Sequence, residues 1–244
     1  MVDHNQGWRS EELLQPPGQN HLSIHIQQTY WGYEDIGLFF FSAFFIGVLL
    51  HSAVRLHLLS QALHLLSQAV LSEPTLTLQA FVLLSLMACL YLILKVRYRR
   101  HVWRALGWTR LQPKYVINAV LGGVILAVPV ILFVHWSNWS MPRIRFWDLL
   151  LLGALLGPAL EESFFRGCLL PVVARTTGVP LAILISALLF TALHKPPTAA
   201  QCVSFTITGL AYGWMRVSSG STTTATMMHA AYNATLFLCQ LIGV

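Results

Sequence analysis

Charge is what this chain has least of. Of its 244 residues only 10% are Asp, Glu, Lys or Arg, while 56% are hydrophobic and mean hydropathy is +0.63. A water-soluble domain carries about a quarter of its residues as charges. So few charges cannot cover a soluble surface, which excludes an ordinary soluble domain and implies an integral membrane protein. Cysteine is also sparse. Cys89, Cys168, Cys202 and Cys239 all lie in apolar stretches, at spacings that give neither a zinc pattern nor a disulfide framework, so they read as small packing residues. The HExxH helix of zinc proteases is absent. No inverted pair of broken hydrophobic segments suggests a carrier. The first 35 residues lack the basic start and apolar core of a signal peptide and read as a polar, mobile tail with an interfacial segment near Trp31 and Tyr33.

What the chain does have is long apolar runs. A spanning helix needs about 20 mostly apolar residues. Candidates lie at 36–56, 76–96, 115–135, from near Trp147 through the run ending at Gly157, and at 179–194, 199–216 and 222–242. The expected fold is all-α, a polytopic transmembrane helix bundle of about seven spans. It divides into a tail (1–35), accessory helices with a basic loop (36–114) and a core (115–244). A seven-residue unit, HLLSQAL then HLLSQAV, occupies 57–63 and 64–70. Two copies are too few for a solenoid or a sustained coiled coil, and an interfacial helix or an extension of the first span is the better reading. His57 and His64 lack a third ligand nearby.

The formal charge of +6 does not require nucleic acid, because basic loops at a membrane surface give the same sum. Lys95, Arg97, Arg99, Arg100, Arg104, Arg110 and Lys114 crowd one loop. The positive-inside rule makes that loop cytoplasmic and puts the N-terminus on the same side, with Trp103 and Trp108 at headgroup depth. On that arrangement ten Lys and Arg fall inside and four outside, the latter being Arg55, Arg143, Arg145 and Lys195. The protein is then a multi-pass membrane protein, in the plasma membrane if the source is bacterial. Asp148 reads as a helix N-terminal residue complementing the dipole. Glycines four apart, in GALLG (153–157) and GLAYG (209–213), signal close helix packing, and Pro158 predicts a kink just before Glu161.

After Asp148 only two carboxylates remain, Glu161 and Glu162, and only two histidines, His194 and His229. Ionisable groups inside a span are costly and face a cavity or a partner. Glu162 and Arg166 are four apart and can pair on one face. Glu161 points about 100° away from Glu162 and is free for another partner. Phe190 and His194 are four apart in FTALH, as are His229 and Asn233 in HAAYN. Three separate segments therefore each offer a small polar set. If they converge, the bundle holds a wet polar pocket inside lipid.

Glu-Glu-x-x-x-Arg, Phe-x-x-x-His and His-x-x-x-Asn, each on its own hydrophobic segment and in this order, resemble the CPBP intramembrane protease family. That family includes the type II CaaX prenyl endopeptidases and relatives of lysostaphin-resistance and bacteriocin-immunity proteins. The likeness covers about 145–243; the first hundred residues carry no family residues. It implies peptide-bond hydrolysis of a membrane-associated or lipidated substrate, with no nucleic acid involved. Glu161 and His194 would hold and activate a water. His229 and Asn233 would donate to the oxyanion. Arg166 would anchor Glu162, and Phe190 would wall the pocket. A metal-free glutamate mechanism is favoured, so no cofactor is expected. The alternative is Zn²⁺ held by Glu161, His194 and His229 with water in the fourth position. Two other functions stay open: a non-catalytic scaffold or immunity protein keeping the polar core, and a proton-coupled carrier.

Overall fold

A computed structural model describes residues 29–55, 64, 74–137 and 149–241. The described residues form helices joined by short turns, with no strand among them. Most of the tail lies outside the described residues, as do the repeated unit (apart from the helical, exposed His64) and the segment holding Trp139, Trp147 and Asp148. The chain is an all-α membrane helix bundle.

Helices α1 (Tyr33–Arg55), α2 (Pro74–Tyr98), the single turn α3 (Val102–Ala105) and α4 (Pro113–Ser137) precede the core motifs. Helix α5 is continuous but composite. Leu149–Leu156 and Ser163–Leu169 are wound as π-helix, and Gly157–Glu162 and Leu170–Thr177 as α-helix. Helices α6 (Val179–His194), α7 (Ala199–Ser219) and α8 (Thr222–Leu241) complete the bundle. Among the described residues, a helix covers each predicted apolar segment. Three of them contain stretches long and apolar enough to cross a bilayer, Tyr33–Ala53, Thr77–Tyr98 and Pro113–Phe133. Helix α6, with 16 residues, is apolar but short.

The apolar surface points outward on α1, where Phe41, Phe44 and Leu49 are exposed, and on α4, where Ile117, Ile125 and Leu132 are. That is the expected surface of a helix facing lipid. Inside, small residues let backbones meet. Helix α8 packs most extensively on α4, where a Cβ on Gly123 would come within 2.5 Å of the Met228 carbonyl oxygen. On α7, a Cβ on Gly209 would stand 3.0 Å from Ala187, and one on Gly213 would stand 2.9 Å from Ile183, both on α6. The glycines of GLAYG thus serve the close packing expected of them.

The segment before α1 differs from the expectation of a polar tail. Trp31 is buried and its Nε1–H donates to the Cys168 carbonyl at 3.0 Å. Arg175 donates to the carbonyls of Thr29 and Trp31. Asp35, also buried, accepts from Tyr98 Oη at 2.6 Å and pairs with Arg97 at 2.8 Å. Trp31 is therefore fastened to α5 while Asp35 fastens the start of α1 to the end of α2, and the line drawn at residue 35 runs through a packed segment. Polar composition hid this, because the partners lie more than sixty residues away. The turn after α3 likewise seats on the core. Leu106 carbonyl oxygen accepts from Thr222 Oγ1, and Gly107 carbonyl oxygen accepts from the Thr222 amide at 2.8 Å.

Candidate active site

The polar sets on α5, α6 and α8 meet. Glu161 Oε2 lies 3.7 Å from His194 Nε2 and 3.9 Å from His229 Nε2. That oxygen is buried and has no hydrogen-bond partner. The Glu161 and His194 side chains are 25% and 29% exposed, against 7% for His229. The cluster thus opens on its Glu161–His194 side and is closed behind.

Glu162 turns the other way, as helical spacing requires. Its Oε1 accepts from Arg166 Nη1 at 3.1 Å and from His229 Nδ1 at 3.0 Å. Both Glu162 and Arg166 side chains are fully buried. Arg166 continues the network by donating Nη2–H to the Gly209 carbonyl at 2.8 Å. Its guanidinium sits between the rings of Phe165, Phe190 and Tyr212, 4.9–5.5 Å from their centroids. One ion pair therefore ties α5 to α7 and α8.

Each histidine is held at Nδ1, which decides what Nε2 can do. His194 Nδ1 lies 2.8 Å from the Phe190 carbonyl oxygen. A carbonyl only accepts, so the proton is on Nδ1, and Nε2 of the neutral ring presents a lone pair toward Glu161. Phe205 stacks on His194 at 4.7 Å, and Tyr212 stacks on His229 at 4.6 Å. The rings have little freedom to flip.

Asn233 is placed by backbone chemistry. Its Nδ2 donates to the Gly153 carbonyl at 2.6 Å. Residues 149–156 are wound in the wide π register, in which a carbonyl looks to the N–H five residues on. For Gly153 that position is Pro158, which has no N–H. The carbonyl left over by the proline is the one Asn233 takes. The kink predicted at Pro158 is expressed as this π-wound stretch rather than as a break.

Five of the six residues singled out from the sequence, Glu161, Glu162, Arg166, His194 and His229, thus gather with Phe190, while Asn233 lies one turn beyond His229 on α8 and is held to α5 at Gly153. Spacing did not reveal Tyr212, Phe205, Ser163 or the carbonyls of Gly153 and Gly209. Aromatic residues and glycines in apolar helices read as packing, and only the Pro158 spacing could have pointed to Gly153. Ser163 Oγ accepts from Trp108 Nε1 at 2.9 Å and donates to the Ala159 carbonyl at 2.6 Å, which fastens the turn after α3 to the helix bearing the glutamates. Among the described residues no three His, Cys, Asp or Glu side chains are disposed to hold a metal ion.

Comparison with known families agrees with the motifs. Residues 143–235 match the family model described as type II CAAX prenyl endopeptidase Rce1-like. The match covers less than half of the chain but includes all three motifs, at 161–166, 190–194 and 229–233. No curated protein and no solved structure matches. Over residues 143–235 the chain is thus similar to the type II CAAX prenyl endopeptidase Rce1-like family.

Proposed function

We propose that this protein hydrolyses a peptide bond in a membrane-associated or lipidated substrate, with Glu161 as general base and acid. The observation that carries the reading is the approach of His194 Nε2 and His229 Nε2, from two other helices, to 3.7 and 3.9 Å from Glu161 Oε2, a buried carboxylate oxygen with no hydrogen-bond partner among the described residues. A water donates one proton toward Glu161 and the other to the His194 lone pair. Glu161 takes the first as the water oxygen attacks the scissile carbonyl, then returns it to the leaving amine. His229 and Asn233 face the developing oxyanion. Asn233 has one N–H committed to Gly153 and one to give. For His229 Nε2 to donate, the ring carries both protons, with Glu162 Oε1 and the oxyanion as its two acceptors.

The opening on the Glu161–His194 side suits a substrate held by a lipid or apolar tail and delivered laterally. Zinc at Glu161, His194 and His229 is the competing chemistry, and chelation separates the two. Purified protein in detergent, given a quenched fluorescent lipopeptide, keeps its cleavage rate in a strong chelator; loss of activity restored by Zn²⁺ overturns the metal-free reading. Glu161→Gln lowers cleavage about 10²- to 10⁴-fold, the usual contribution of a positioned general base, with unchanged thermal stability. Full activity of Glu161→Gln in cells favours the scaffold reading, which the fully buried Glu162–Arg166 pair would also suit.

A further inference from the structure

Outside the glutamate cluster, the turn between α2 and α3 encloses an open cavity of about 270 Å³, lined by Tyr91, Lys95, Arg100, Trp103, Arg104 and Trp108 among others. Among the described residues its walls carry no carboxylate. Of the basic residues from Lys95 to Arg104, only Arg97 forms an ion pair among the described residues, with Asp35. Lys95, Arg100 and Arg104 are exposed.

The backbone is shaped to hold this concave basic surface. Arg99 adopts a left-handed conformation (φ 54°), unusual for a residue with a Cβ, and turns the chain sharply after Tyr98. Lys95 Nζ reaches back to the Arg100 carbonyl at 3.4 Å. Gly107 (φ 84°) then folds the chain so that the Trp108 amide bonds the Trp103 carbonyl at 2.9 Å. Aromatic rings wall the space. Tyr91 stacks on Trp103 at 5.5 Å, and Trp103 meets Trp108 edge-on at 6.4 Å. Trp108 is fastened to Ser163, so this wall is anchored to α5.

We propose that this cavity binds a phosphate-bearing anionic group, supplied by the headgroup of an anionic lipid. Three cations with no carboxylate partner among the described residues converge on a space of headgroup size. Arg and Lys are the side chains that take phosphate oxygens by charge-assisted hydrogen bonds. Indoles prefer the depth at which those phosphates lie. The cavity sits at the last turn of a helix long and apolar enough to cross a bilayer, Thr77–Tyr98, which is where a lipid headgroup would meet it.

The test uses the full-length protein in a neutral detergent and titrates short-chain phosphatidylglycerol, phosphatidylcholine or inorganic phosphate. Binding is read by native mass spectrometry and by thermal shift. The expected result is binding of phosphatidylglycerol well above phosphatidylcholine. The combined Lys95→Gln, Arg100→Gln and Arg104→Gln variant binds it about a hundredfold more weakly, since each basic side chain beside an anionic headgroup contributes roughly a factor of five. A control pair off the cavity, Arg110→Gln with Lys114→Gln, binds within about fivefold of the parent, because those two side chains only add to the general surface potential. Inorganic phosphate that displaces phosphatidylglycerol at comparable concentration supports the anion site but assigns its ligand to the aqueous phase. Equal binding of the two lipids overturns the proposal, and so does equal loss in the control pair. If the triple variant does not fold, salt and phosphate competition on the parent protein decides: lipid binding indifferent to both overturns it.

Discussion

Glu162 Oε1 takes two N–H donors at once, from Arg166 and His229, while Glu161 Oε2 takes none. Adjacent carboxylates are thereby divided between holding the bundle and presenting a reactive oxygen. Removing one partner of a buried ion pair strands the other charge, at about 3–5 kcal/mol. Arg166→Met is therefore expected to lower the melting temperature sharply and to abolish cleavage, whereas Glu161→Gln affects cleavage alone. Parallel thermal and kinetic measurements separate the two roles, and equal stability of both variants contradicts the division. A second residue-scale prediction concerns Pro158, which denies Gly153 its helical donor and leaves that carbonyl to Asn233. Pro158→Ala supplies an N–H that competes for the carbonyl. Asn233 is then freed to drift, and kcat falls, by up to about a hundredfold if its hydrogen bond to the oxyanion is lost entirely, with little change in KM. An unchanged kcat shows that Asn233 does not depend on this anchor.

At the scale of elements, the site is held by helices pressed closer than ordinary side chains permit. The most extensive packing is α4 on α8, the helix carrying His229 and Asn233. Gly123→Ala would put a Cβ 2.5 Å from the Met228 carbonyl oxygen, and overpacking of this kind costs about 1–3 kcal/mol. Gly37→Ala on α1, where a Cβ meets nothing within 4 Å, is expected to be neutral in the same thermal assay. Comparable losses in both contradict the argument. These contacts also explain what the sequence does and does not disclose. The helices were legible as apolar runs, and the four-residue spacings Glu162–Arg166, Phe190–His194 and His229–Asn233 placed each polar set on one face. Convergence of the sets was not legible, because it depends on which helices approach and how closely. Nothing in the run around Gly123 marks it as the contact for Met228. Trp31 and Asp35 read as surface residues for the same reason: their partners, Cys168 and Tyr98, are distant in the chain and close in space.

The molecule as a whole has two unlike ends. The start of α1, the end of α2, the turn at 99–110, the end of α5 and the turn joining α7 to α8 are stitched together. The bonds are Asp35 to Arg97, Arg175 to Trp31, Thr222 to Leu106 and Tyr115 to the Ser218 carbonyl. That end carries the basic loop. Helix α6 starts there, after Gly178, and ends at His194 on the far side. The site accordingly opens nearer the end that lacks the basic cluster. If the basic end is cytoplasmic, as the charge asymmetry directs, the opening faces the other leaflet and substrate is taken from that side. Two exposed positions flanking α6 test this. In a background with all four cysteines replaced, Pro197→Cys is expected to react with an impermeant maleimide on intact cells. Thr177→Cys is expected to react only after the membrane is permeabilised. The opposite pattern inverts the protein, turning the basic end outward and the open side of Glu161 and His194 toward the cytoplasm, where a prenylated protein would be met.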